Sequence, residues 1–199
     1  MYTPQLGDIG VTQITGDVGR LIRLGQWLNG TGFADFEHAF VVSEVIPSGG
    51  GQPPIIQIVE AEPGGAREVP LTEYNPRNIA WLHCPEPYRH AVAAAARAFT
   101  EPRPVPYSAA DYFALAAHRL HLPIPWLRDY VKSSGHMICS QLVDRAAAEG
   151  GWHLFADGRW DGYVTPGDIW ELIQQQDRPN WKRDFFTRSA TRPDTPAQP

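Results

Sequence analysis

Residues 36–71 read FEHAFVVSEVIPSGGGQPPIIQIVEAEPGGAREVPL, and their pattern decides the fold. Two runs rich in Val and Ile each stop at a turn signal: Pro-Ser-Gly-Gly-Gly after Ile46 and Pro-Gly-Gly after Glu62. Short β-branched runs bounded by Gly and Pro are strands. The first strand has Ala39 and Val41 on one face and Phe40 and Val42 on the other. The second run returns through its Gly-Gly turn into a third strand, which makes a hairpin. The glycine-rich link, residues 47–54, lacks the Lys-Ser/Thr of a phosphate-binding loop and reads as a flexible hairpin tip. Polar residues interrupt both runs, notably His38 in the first and Glu60 in the second.

Working outward, GDIGVTQ (7–13) is a short strand, and residues 15–30 form a helix capped by Asp17, with Val18, Leu21, Ile22 and Leu28 at helical spacing. NIAWLHC (78–84) is a strand closed by Pro85. An Ala-rich helix follows over 86–101. A Pro-rich connector leads into a helix opened by Ser108 and Asp111. PIPWLRDYVKSSG (123–135) is a short amphipathic piece or loop. GHMICSQLVDRAAAEGG (135–151) turns an apolar approach into a helix stopped by Gly150-Gly151. VTPGDIWELIQQQ (164–176) is a helix with Thr165 as cap and Pro166 at its first position. Asp8 and Asp168, each following a glycine, read as turn and cap residues. Strands cluster in the first half with helices around them, which predicts an α+β fold on one antiparallel sheet. Residues 1–189 are expected to form one domain, and 190–199, ATRPDTPAQP, a disordered tail.

Composition narrows the function. The 199 residues carry a net charge of −5, which argues against a nucleic-acid binder. Two cysteines, Cys84 and Cys139, make no disulfide scaffold, and a bridge between them is not expected. The N-terminus lacks a basic start followed by an apolar run, and no stretch is long enough to span a bilayer. The expectation is a soluble, cytoplasmic product as synthesised, released by lysis or carried in a particle if it acts elsewhere.

Cys139 stands at the start of a helix. There the first N–H groups and the helix dipole stabilise a thiolate and a developing oxyanion. Such a nucleophile needs a base and an orienter for the base. His38, placed mid-strand between apolar neighbours, is the candidate base. Glu60 is the leading orienter, with Gln57 and Glu62 as alternatives. Gln57 would orient without charge; Glu62 shares the face of Glu60 but falls in the turn.

GDIGV, HAFVV, IVEAEPGGAREVPL, YSAADYFALA, CSQLVDRA and VTPGDIWE occur in that order, over roughly Gly7 to Leu172. Together they resemble the circularly permuted NlpC-like cysteine hydrolases of the YiiX-like branch, relatives of papain that are also similar to lecithin retinol acyltransferase. His38 precedes Cys139, which is the permuted order. The resemblance implies a papain-like fold, Cys139 as nucleophile, His38 as base and a polar residue on the next strand, assigned to Glu60, as orienter. It implies a thiol hydrolase that needs no cofactor, with peptidoglycan-type peptide amides as substrate. Lipid esters or thioesters, and a non-catalytic module on the same fold, are the alternatives.

Blander readings cover the other reactive residues. Cys84 follows His83, but adjacent strand residues point to opposite faces, so Cys84 is structural. His136 belongs to the irregular entry before Cys139. His118 and His121 are three apart, with no CxxC or HExxH nearby to make a zinc site. Tyr107 packs under the Pro-rich connector in preference to donating a hydrogen bond near the thiolate. Trp181, Phe185 and Phe186 either pack on the domain, the preferred reading, or form a partner-docking arm.

Overall fold

The computed structural model describes residues 2–13, 36–62, 65–74, 78–100, 138–155 and 164–176. The expected helices at 15–30 and after Ser108, Tyr107, His118, His121, His136, the aromatic end and the tail from 190 lie outside them. Among the described residues there are five strands: β1 Ile9–Thr12, β2 His38–Ile46, β3 Ile55–Glu62, β4 Gly65–Pro70 and β5 Ile79–Leu82. Three α-helices accompany them: α1 Arg89–Ala98, α2 Cys139–Glu149 and α3 Pro166–Gln176. The strands form a single antiparallel sheet in the order β4-β3-β2-β1-β5. The α+β architecture expected from the sequence is therefore present. No helix among the described residues is long and apolar enough to cross a membrane.

Period-two alternation sends the strands' side chains to two faces. Ile9, Val11, Ala39, Val41, Val59 and Ala61 join Val92 and Ala96 of α1, Leu142, Val143 and Ala146 of α2, and Ile169 and Ile173 of α3 in the larger core. The opposite face carries a smaller cluster of Phe40, Val42, Ile58, Val69 and Tyr74. Each fully buried large apolar side chain contributes roughly 1.5–3 kcal/mol, so the larger core dominates the stabilisation.

Two local features set the geometry around the site. Pairing runs Phe40↔Glu60, Val41↔Val59 and Val42↔Ile58, then shifts to Glu44↔Gln57, so Ser43 is the extra residue of a β-bulge. Its hydroxyl donates to Glu68 Oε1 at 2.6 Å. The second feature is Gly10, directly across from Phe40. A Cβ on Gly10 would lie 2.3 Å from Phe40 Cε2, so the missing side chain is what admits the phenyl ring.

Among the described residues β5 is an edge strand of the sheet, and that edge is protected. Gln176, the last residue of α3, donates from Nε2 to the Trp81 carbonyl at 2.5 Å and accepts the His83 N–H on Oε1 at 3.0 Å. One amide side chain thus stands in for a neighbouring strand. Asp8 does more than close a turn. It is fully buried, and its carboxylate accepts the N–H of Gln5 and of Cys84, each at 2.8 Å, as well as the Tyr2 hydroxyl at 2.5 Å. This ties the start of the described chain to the end of β5. Asp168 behaves as expected, accepting the Thr165 N–H at 2.8 Å while Thr165 Oγ1 accepts the Asp168 N–H at 3.1 Å.

Candidate active site

Cys139 is the first residue of α2. The helix starts cleanly because Ile138 is extended (φ −94°, ψ 167°) and its N–H donates to Gln141 Oε1 at 3.0 Å, while its carbonyl accepts the Leu142 N–H at 3.0 Å. Ser140 donates to the Val164 carbonyl at 2.7 Å, which anchors this turn to the segment leading into α3. At the other end Gly151, at φ +84°, takes the left-handed conformation that turns the chain out of the helix. Cys139 is held on a rigid element and is 1% exposed.

His38 opens β2; it does not sit mid-strand as the sequence suggested. The position matters. Residues further along the same face, such as Phe40 and Val42, belong to the cluster opposite the helical layer. Only at the strand's end does an imidazole on that face come within reach of α2. His38 is buried and hydrogen-bonds both Cys139 and Glu60.

Glu60 is fully buried near the end of β3. Its Oε2 accepts the His38 Nε2–H at 2.6 Å. An ionised carboxylate can only accept, so Nε2 carries the proton, and Nδ1 is the ring nitrogen left for the thiol. Burial alone would lower the proton affinity of His38; the Cys139 thiolate and the Glu60 carboxylate outweigh burial and raise its pKa from 6.5 to about 10. Burial would likewise raise Glu60, yet His38, Tyr74 and Arg67 hold its carboxyl below the usual carboxylate range. His38 is thereby favoured in its imidazolium form, between the sulfur of Cys139 and the Glu60 carboxylate.

Of the alternatives for the third place, Gln57 lies three residues from Glu60, on the opposite face, and pairs with Glu44. Glu62 is the last residue of β3, paired with Gly65, so it belongs to the strand and not to the turn. Sequence reading missed Tyr74 and Arg67. The Tyr74 hydroxyl donates to Glu60 Oε2, and its ring stacks on His38 with centroids 5.7 Å apart. Arg67 stands directly across from Glu60 on β4 and donates to Oε1 from Nε at 3.0 Å and from Nη2 at 2.6 Å. A signal for Arg67 existed: counting back from the turn through Glu62↔Gly65 and Ala61↔Ala66 sets it opposite Glu60. Tyr74 lies in a short 3₁₀ turn after β4, for which residue spacing carries no comparable signal.

His38, Glu60 and Glu62 bring ligand-type atoms within 4.8 Å of one another. Arg67 Nη2 already sits 2.6 Å from Glu60 Oε1 and 3.1 Å from Glu62 Oε2, however, so a guanidinium occupies the place of the cation. The arrangement is an ion-pair network and does not fit a metal centre.

Cys84 is a free, buried thiol whose pKa burial and the nearby Asp8 push up to about 12, an unreactive state. Cys139 likewise forms no disulfide. Comparison with protein-family models, with characterised proteins and with solved structures finds no match.

Proposed function

We propose that the chain is a cysteine hydrolase with a Cys139–His38–Glu60 site on a papain-like fold in permuted order. The observation that carries this reading is the buried chain of hydrogen bonds from a thiol at a helix N-terminus, through His38, to a charged Glu60. Three elements far apart in sequence converge on one imidazole, and each supplies what a thiol nucleophile requires.

In this mechanism the Cys139 proton rests on His38 Nδ1, and the thiolate attacks a substrate carbonyl carbon to form the C–S bond. The oxyanion forms at the N-terminus of α2, where helix N–H groups stabilise it. His38 returns its proton to the leaving amine or alkoxide as the tetrahedral intermediate collapses. Neutral His38 then takes a proton from water, whose hydroxide attacks the acyl-enzyme and releases the acid with the thiol restored. Peptide amides of the peptidoglycan type are the substrate class we favour, with lipid esters or thioesters second.

The 1% exposure of Cys139 favours a second reading, a non-catalytic binding module that retains the hydrogen-bond chain as internal structure. Thiol chemistry separates the two. In the hydrolase, iodoacetamide labels Cys139 much faster than Cys84 at neutral pH, and His38→Ala abolishes the difference. Cys139→Ala and His38→Ala each abolish turnover of an activated acyl substrate while the fold persists. Equal, slow labelling of both cysteines in the wild type would leave the binding module as the reading.

A further inference from the structure

The Glu60 carboxylate is engaged on both oxygens. Oε2 receives the His38 Nε2–H and the Tyr74 hydroxyl. Oε1 receives two N–H groups from Arg67. The guanidinium also lies 3.1 Å from Glu62 Oε2 and 3.3 Å from Glu73 Oε2, and its side chain is 43% exposed, so it brings a charge from the surface to a buried anion. Tyr74 is clamped in turn. Its ring stacks on His38 and, at 5.3 Å, on Phe40, the ring admitted by Gly10.

These contacts have opposing effects on His38. A bare, buried carboxylate at 2.6 Å would hold the imidazolium tightly. A general acid that will not release its proton is a poor one. Arg67 and Tyr74 take up part of the negative charge that would otherwise fall on His38. They also confine the carboxylate to one orientation, since both of its oxygens are committed.

We propose that Arg67 and Tyr74 are positioning residues for this site, holding Glu60 in one rotamer and withdrawing part of its charge, and so setting how firmly His38 keeps its proton. The proposal rests on the hydrolase reading for its catalytic meaning, but it concerns a property of His38 that is measurable without substrate. Among the described residues, the charged and titratable groups that act on His38 include Glu60 on β3, Cys139 on α2, Tyr74 in the turn after β4, through Glu60 Arg67 on β4, and through Arg67 Glu62 and Glu73.

The test is the NMR titration of His38 in a Cys139→Ala background, which removes the thiolate and leaves the influence of Glu60 to be read. Arg67→Met is expected to raise the His38 titration midpoint by about one pH unit. Tyr74→Phe keeps the stacked ring but loses the hydroxyl, and is expected to raise it by roughly half a unit. Glu60→Gln is expected to move the midpoint the other way. A purely structural role for Arg67 and Tyr74 would destabilise the fold without these opposed shifts. A midpoint unmoved or lowered in both the Arg67 and Tyr74 variants overturns the proposal. Should Arg67→Met fail to fold, Arg67→Gln and Tyr74→Phe carry the same comparison. Failure of the hydrolase reading would register separately, as slow alkylation of Cys139 in the wild type.

Discussion

Glu60 keeps a full negative charge where water cannot reach it, and that is tolerable because every lone-pair direction it offers is used. Replacing it with Gln retains the shape and one acceptor oxygen but removes the charge that favours imidazolium. On the hydrolase reading we propose, the activity of Glu60→Gln is expected to fall by roughly ten- to a thousandfold, less than for Cys139→Ala or His38→Ala, because an orienter acts through the base. Steady-state rates on one activated acyl substrate test the ranking. Protonation also links the site to stability. The His38 pKa is raised from 6.5 to about 10, so its contribution is complete below pH 6.5 and is lost as pH rises through about 10. The Glu60 pKa is lowered from 4.5, so its contribution is present above pH 4.5 and is lost as pH falls through the lower folded value. Urea denaturation across a pH series should show the stability gap between wild type and His38→Ala shrinking above pH 6.5, and the gap to Glu60→Gln shrinking below pH 4.5. Gaps independent of pH would mean that neither charge is linked to folding.

At the scale of the elements, a glycine in β1 governs the site on the neighbouring strand β2. Gly10 lets Phe40 lie flat across the sheet, Phe40 stacks on Tyr74, and Tyr74 stacks on His38. A methyl group at position 10 must displace a ring with no slack, since overpacking of this kind costs about 1–3 kcal/mol. Gly10→Ala is therefore expected to lower stability by that amount and to slow alkylation of Cys139 together with it. Chemical denaturation and the labelling rate check the two effects; a stable variant with unchanged labelling would break the link between Phe40 and the imidazole. The elements themselves were largely legible in the sequence. The alternation Ala39-Phe40-Val41-Val42, the Gly-Gly turn at 64–65 and the Thr165-Pro166 start of α3 are local signals, and local signals set strand and helix limits. The β-bulge at Ser43 was not legible, because an extra residue in a strand shows only in the pairing.

Over the whole molecule, β5 is the place where distant parts of the chain are joined. Asp8, before β1, accepts the Cys84 N–H, and Gln176, at the end of α3, brackets Trp81 and His83. Gln176→Ala would leave a carbonyl and an N–H on an open edge. The expected loss is about 1 kcal/mol for each hydrogen bond, with a greater tendency to self-associate through β5. Denaturant midpoints and light scattering at rising concentration measure both; a variant as stable and as monomeric as the wild type would show that the edge is protected by other means. The sequence by itself determined the α+β class, the single antiparallel sheet, a thiol at a helix N-terminus and the pairing of His38 with Glu60 as candidates. It could do so because residue periodicity, turn residues and capping residues act over a few positions. What only the tertiary structure decided is which face and which end of a strand meets the helix. His38 reaches Cys139 because it begins β2, and Glu60 excludes Gln57 because the register turns Glu60 toward His38 and Arg67. The β2–β3 register and the docking of α2 depend on contacts between residues 22 to 101 positions apart in the chain, and no local pattern encodes them, whereas the β3–β4 register follows from its short turn.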